Sequence, residues 1–173
     1  MTKFKAEVIP APQAPETFRL GSAANAGGRL VDNDMWKLLK LAGDSQYNLC
    51  VAGDPIEGVA VALDPTTQDG WAMGSVQKTG RRYATCDGSQ AAGTGAIAVG
   101  DYVVCGTVVA AGTALSGTIP RPAVRKATYQ PGTTEITNVN QIAAMTKVAL
   151  HPWRVISIGD DGAVGDTCVI ERV

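Results

Sequence analysis

Residues 43–63, GDSQYNLCVAGDPIEGVAVAL, constrain this chain more than any other stretch. Tyr47, Leu49 and Val51 alternate with Gln46, Asn48 and Cys50, and Val59, Val61 and Leu63 alternate with Gly58, Ala60 and Ala62. A period of two on both sides of a break is the mark of half-buried strands, and here it predicts a pair of them. Gly53-Asp54-Pro55 supplies the break: glycine tolerates positive φ, aspartate bonds turn backbone and proline fixes φ. The second strand has one branched face and one nearly flat face, Gly58, Ala60 and Ala62. A flat face lets another sheet or subunit approach closely, so these three residues are candidate partner contacts.

The same grammar of short strands and turns runs on. Gly-Asp occurs at 43, 53, 100, 159 and 165, and Asp-Gly at 69, 87 and 161. Strands are expected at 81–86, 124–129, 148–150, 153–158 and 167–173, with two more short ones within 97–112. Residues 34–37 read as one helical turn running into a strand, with Leu39 and Leu41 on one face. Lys78-Thr79-Gly80 reads as a hairpin turn, and PGTTEITNVNQ, residues 131–141, as an exposed loop. Turn signals this frequent predict an all-β fold, a small antiparallel β-sandwich or barrel. Their spacing is too irregular to mark an internal repeat.

Residues 1–21 stand apart from the β-rich domain expected over 22–173. Pro10, Pro12 and Pro15 exclude a helix interior or a central strand, so an extended arm is expected. Phe4, Val8, Ile9, Phe18 and Leu20 give that arm something to bury, which makes them candidate partner contacts. The opening MTKFKAEVIPAPQAP has no apolar signal core, which predicts a protein made and kept in a cytoplasm.

Composition narrows the function. The formal net charge is −1, with no basic block, so a grip on nucleic acid through phosphate contacts is disfavoured. No apolar run reaches the length of a membrane span. Cys50, Cys86, Cys105 and Cys168 lack CxxC spacing and are expected to be reduced thiols in or beside strands. His151 is the single histidine, and in HPW it reads as a turn residue. Asp160, Asp161 and Asp166 lack the spacing of a calcium loop. The glycine-rich AAGTGAIAVG lacks a phosphate-binding lysine, and no serine sits in a nucleophile elbow. Trp36, Trp71 and Trp153, scattered among strands, read as core or interface anchors. No catalytic residue, metal or cofactor is therefore expected.

Residues 34–63 carry a short polar turn, a strand ending in KL and then aGD-x-IeGv, and residues 93–109, GTGAIAVGDYVVCGTVV, and 152–173, ending GAVGDTCVIERV, are of the same type. In this the chain resembles the capsid decoration, or cement, proteins encoded among the head genes of tailed bacteriophages. The resemblance implies a β-rich, commonly trimeric protein without catalytic residues. It would sit on the outer face of a virion where major capsid proteins meet, after synthesis in the host cytoplasm. Its partners would be the major capsid protein and further copies of itself, with neither nucleic acid nor membrane. The arm and the proline loop at 118–132 lie outside the resemblance and would be variable contacts. Symmetry-related copies gain avidity from weak individual contacts. Two other functions compete. A virion binding module for a glycan or receptor would need an exposed aromatic cluster. A cupin-like enzyme would need several metal-binding histidines, and the chain has one.

Overall fold

The computed structural model describes residues 17–21, 29–43, 46–64, 72–87, 96–107, 121–128, 130, 137–150 and 152–173. The all-β expectation holds: among the described residues ten strands close into two five-stranded barrels. The first uses β1 (Thr17–Gly21), β2 (Leu38–Gly43), β3 (Gln46–Leu49), β4 (Gly58–Asp64) and β5 (Ala72–Gln77). The second uses β6 (Arg81–Cys86), β7 (Tyr102–Cys105), β8 (Ala123–Lys126), β9 (Trp153–Ile158) and β10 (Thr167–Arg172). Among the described residues between β8 and β9 lies one α-helix, α1 (Val139–Leu150).

The two barrels are one topology used twice. In each, the first strand pairs with the third in parallel, as β1 with β3 and β6 with β8. The remaining pairs, third with second, second with fourth, fourth with fifth and fifth with first, are antiparallel in both. Each fourth strand carries one extra residue opposite the fifth. Ala60 faces Val76 and Ala62 faces Ser75, leaving Val61 over; Val155 faces Ile170 and Ser157 faces Val169, leaving Ile156 over. A repeat therefore exists in strand order, although the Gly-Asp spacing did not predict one.

The bulge at Val61 reverses which face a residue meets, because side chains alternate along a strand. Ala60 and Leu63, three apart, both join the first barrel's core with Leu30, Leu39, Tyr47 and Ala72. Val59 points the other way. With its cross-strand partner Leu38 it packs among Ala84, Val103, Val124, Trp153, Val155 and Ile170 of the second barrel. The β2–β4 pair is thus a shared wall, apolar on both faces, which explains the consecutive leucines at 38 and 39.

A second repeat joins the barrels. Residues 51–54, 98–101 and 163–166 read VAGD, AVGD and AVGD. In each, the aspartate amide donates to the first residue's carbonyl at 3.0, 3.1 and 3.2 Å. The aspartate carboxylate accepts that residue's amide at 2.8, 2.8 and 2.9 Å. The glycines have φ of 91°, 95° and 89°, a conformation that disfavours any residue with a Cβ. Each turn then brackets one strand residue. The amides of Gly53, Gly100 and Gly165 donate to the carbonyls of Cys105, Val155 and Cys86. The amides of those same three residues donate to the carbonyls of Asp54, Asp101 and Asp166. All three turns grip the second barrel, and the first of them comes from the first barrel. Arg172 adds a tie, donating to the carbonyls of Glu57 at 3.2 Å and Lys78 at 3.0 Å.

Several local expectations are corrected. Strands β3 and β4 are not paired; β2 lies between them, because residues 51–54 turn onto β7 instead of closing a hairpin. Lys78-Thr79-Gly80 connects the two barrels and closes no hairpin, since β5 and β6 belong to different rings. Leu39 is buried but Leu41 is exposed. Residues 17–21, expected at the end of the arm, form β1 and close the first barrel against β3 and β5. Residues 148–150, expected as a strand, are the last turn of α1.

Candidate interaction surface

Helix α1 begins on a capping box. The Gln141 amide donates to Asn138 Oδ1 at 3.0 Å, and Gln141 Oε1 accepts the Asn138 amide at 3.1 Å. One side of the helix is anchored: Val148 is buried with Val104 and Ala127, and Tyr102 packs against them. The opposite side is a row at helical spacing, Val139, Ile142, Ala143, Thr146, Ala149 and Leu150, and every member is exposed. The large members are open to solvent, Val139 by 78%, Ile142 by 49% and Leu150 by 64%. Thr146 turns its hydroxyl back onto the Ile142 carbonyl at 2.8 Å, so the row presents its methyl. No residue of the row carries a charge. Sequence reading missed this surface, although Asn138 three residues before Gln141 was a visible helix start.

The predicted contacts fare unevenly. Phe4, Val8 and Ile9 lie outside the described residues. Phe18 and Leu20 belong to β1, with backbone pairing to Gly74 and Ala72. The flat face does not exist as one surface. Ala60 is fully buried in the first core, and Gly58 is buried where a Cβ would lie 2.5 Å from the Val76 side chain. Ala62, beyond the bulge, is exposed. Gly58 and Ala60 are small because β5 and the barrel interior leave no room, so neither can meet a partner.

The polar groups weighed earlier serve the fold. Asp161 and Asp166 both turn a carboxylate onto the Ala163 amide, at 3.0 and 2.9 Å. Among the described residues no group of three acidic, histidine or cysteine side chains could hold a metal. His151 and Trp71 lie outside the described residues. Trp153 is fully buried in the second core, and its indole N–H has no partner among the described residues. Asp87, whose carboxylate is wholly buried, accepts from Arg125 Nε at 3.1 Å and the Thr107 amide at 2.7 Å. Lys40 reaches Asp54 Oδ2 at 2.6 Å, and that carboxylate holds the Lys40 ammonium above its ordinary range.

All four cysteines are free. Hydrogen bonding to Cys105, then burial, raises the Cys50 thiol, and burial raises Cys86 and Cys168. Such thiols are poor nucleophiles at neutral pH.

A second surface surrounds a shallow depression of about 300 Å³ lined by Arg81, Arg82, Tyr83, Ile156, Ser157 and Val169. Tyr83 is exposed, with the Arg121 guanidinium 5.6 Å from its ring centre. Arg82 lies 5.1 Å from the Trp36 ring. No helix among the described residues is long and apolar enough to cross a membrane. No protein-family model, no curated protein and no solved structure matches the chain.

Proposed function

We propose that this chain is a structural decoration protein of a tailed-phage capsid. It binds the outer surface of the major capsid shell and reinforces it, and carries out no catalysis. It is made in the host cytoplasm, ends on the virion surface, and engages neither nucleic acid nor membrane. The observation that carries this reading is the uncharged apolar row on α1, set on a core that two sets of repeated contacts make rigid. Exposed apolar rows of this kind mark association surfaces. The row meets the same row, or its flank, on a second copy: an uncharged surface is compatible with itself, whereas a charged one repels its copy. A helix of 12 residues is about 18 Å long, too short to bury the roughly 800 Å² per partner of a stable interface. Subunit contact is therefore weak alone, and the shell lattice completes it through avidity. The blocks that resemble decoration proteins contain all three turns that grip the second barrel, so the resemblance falls on the residues that shape the core.

The test is coexpression with the major capsid protein, purification of particles and imaging at a resolution that traces chains. Trimeric density on the outer face is expected, and Ile142→Glu should empty it while leaving the isolated protein folded. Particles that never carry the chain would overturn the reading. Tyr83 and Arg121 beside the depression favour a second reading, a virion binding module for a glycan or receptor. Glycan binding lost in Tyr83→Ala, by a protein that ignores shells, would establish that alternative.

A further inference from the structure

The four cysteines form two pairs, each drawn from distant parts of the chain. Cys86 of β6 and Cys168 of β10 lie on adjacent strands inside the second barrel, and both are buried. The other pair differs in two respects. Cys50 directly follows β3 of the first barrel, whereas Cys105 ends β7 of the second. The loop carrying Cys50 is zipped onto β7 beside Cys105: the Gly53 amide donates to the Cys105 carbonyl at 2.8 Å, and the Cys105 amide donates to the Asp54 carbonyl at 3.0 Å. At that seam Cys50 Sγ donates to the Pro55 carbonyl at 3.7 Å and Cys105 Sγ to the Gly106 carbonyl at 3.4 Å, and the Cys50 side chain packs against the core cluster that holds Cys105. Cys50 is also the one cysteine of the four that retains solvent exposure, while Cys86, Cys105 and Cys168 are buried.

We propose that Cys50 and Cys105 are a modification site, a latent disulfide that a low-molecular-weight disulfide closes, joining the first barrel covalently to the second. The part-exposed member acts first. The Cys50 thiolate attacks one sulfur of oxidised glutathione, forming a mixed disulfide as the glutathione S–S bond breaks and one glutathione leaves with a proton. The Cys105 thiolate then attacks Cys50 Sγ, the mixed disulfide breaks, and the second glutathione leaves with the other proton. Two protein thiols lose two electrons, and one small disulfide becomes two small thiols. Cys86 and Cys168, with no route for the small disulfide, stay reduced. The site remains open in a reducing cytoplasm and closes outside it. Because the Cys50 thiol is raised by its bond to Cys105 and by burial, closure is slow at neutral pH and quickens with alkali.

The full chain is incubated in its native state with oxidised glutathione, quenched with acid, unfolded and alkylated, and the peptides are mapped by mass. The expected product joins the peptides of Cys50 and Cys105 within one chain and leaves Cys86 and Cys168 alkylated. Its rate should rise about tenfold per pH unit from pH 7 to 9 without levelling near the ordinary thiol range. The thermal midpoint should rise by several degrees over that of the reduced protein. Cys50→Ser, at a part-exposed position that tolerates the change, should abolish the reaction. Cys105→Ala should halt it with glutathione on Cys50. A wild-type protein that stops at that mixed disulfide, links two chains through Cys50, bonds Cys86 to Cys168 first, or keeps four free thiols would overturn the proposal.

Discussion

The amide of Cys105 donates to the carbonyl of Asp54 at 3.0 Å, and through this bond a turn of the first barrel becomes part of the second. The same bracket recurs at Val155 with Asp101 and at Cys86 with Asp166. Three four-residue turns with one hydrogen-bond plan thus organise the second barrel from outside its sheet.

Glycine is required in these turns by its backbone alone, which gives a graded prediction. A Cβ at Gly53, Gly100 or Gly165 would meet nothing within 4 Å, so alanine there should cost only the conformational penalty, about 1–2 kcal/mol. Gly162 also has positive φ, but its Cβ would lie 2.1 Å from the Ile97 carbonyl oxygen. Gly162→Ala adds backbone displacement to the same penalty and should cost about 3 kcal/mol or more. Urea unfolding of the four variants checks the order.

Arg125 answers the buried carboxylate of Asp87. Arg125→Met keeps much of the side-chain length and removes the charge, while the Thr107 amide still donates to the carboxylate. The expected loss is about 3 kcal/mol, because removing one partner of a buried ion pair is costly. A loss under about 1 kcal/mol in equilibrium unfolding would mean that solvent reaches Asp87 readily.

Residues that present a single face were readable from the sequence. The strand at 153–158 and the start of the closing strand at 167 match the structure, since Trp153, Val155, Cys168 and Ile170 alternate cleanly inward. Residues with two apolar faces were not. In α1 the outward row and the buried Val148 together blur the helical period, and the apolar Val148 and Leu150 mimic a strand. In β4 the bulge at Val61 breaks the alternation on which the flat-face reading rests. Strand order lay beyond reach for a different reason. Whether residues 51–54 close a hairpin or dock on β7 depends on Cys105, fifty residues away, and no local pattern encodes that choice.

The boundary at β1 divides two truncations sharply. Pro10, Pro12 and Pro15 keep residues 1–16 from serving as a helix interior or a central strand, so after their deletion the far-ultraviolet circular dichroism and melting of the product should match the full chain. Deleting residues 1–21 removes β1, which pairs with both β3 and β5, and opens the first barrel along two edges. That product should lose cooperative melting of the first barrel and aggregate through the freed edges. Equal stability of the two truncations would contradict the closed ring.

Ala60 and Ala62 sit two residues apart with opposite environments. Ala60→Arg places a charge in the first core and should cost about 3–5 kcal/mol. Ala62→Arg places it in solvent and should change stability by no more than about 0.5 kcal/mol. The pair tests the bulge directly. Without Val61 as an extra residue, both alanines would share one face, and the two substitutions would cost alike.

Alkali should unfold this protein earlier than its charge balance suggests. The thiols of Cys50, Cys86 and Cys168 are all raised in the folded chain, the first mainly by its bond to Cys105 and the other two by burial. An unfolded thiol releases its proton near pH 8.5, as an ordinary thiol does, so above that pH the unfolded chain binds fewer protons than the folded one. Stability is therefore full below about pH 8.5 and falls as pH rises, by roughly 1 kcal/mol per pH unit for each such thiol. Lys40 adds a loss of the same sign at higher pH, because the Asp54 carboxylate keeps it protonated in the folded chain after an unfolded lysine has titrated. Urea midpoints measured in reductant should be level from pH 7 to 8 and decline from pH 9 to 10. Replacing Cys86 and Cys168 together by alanine should lower the plateau but flatten the decline. A wild-type midpoint that holds constant to pH 10 would show that the buried thiols titrate as they do in the open chain.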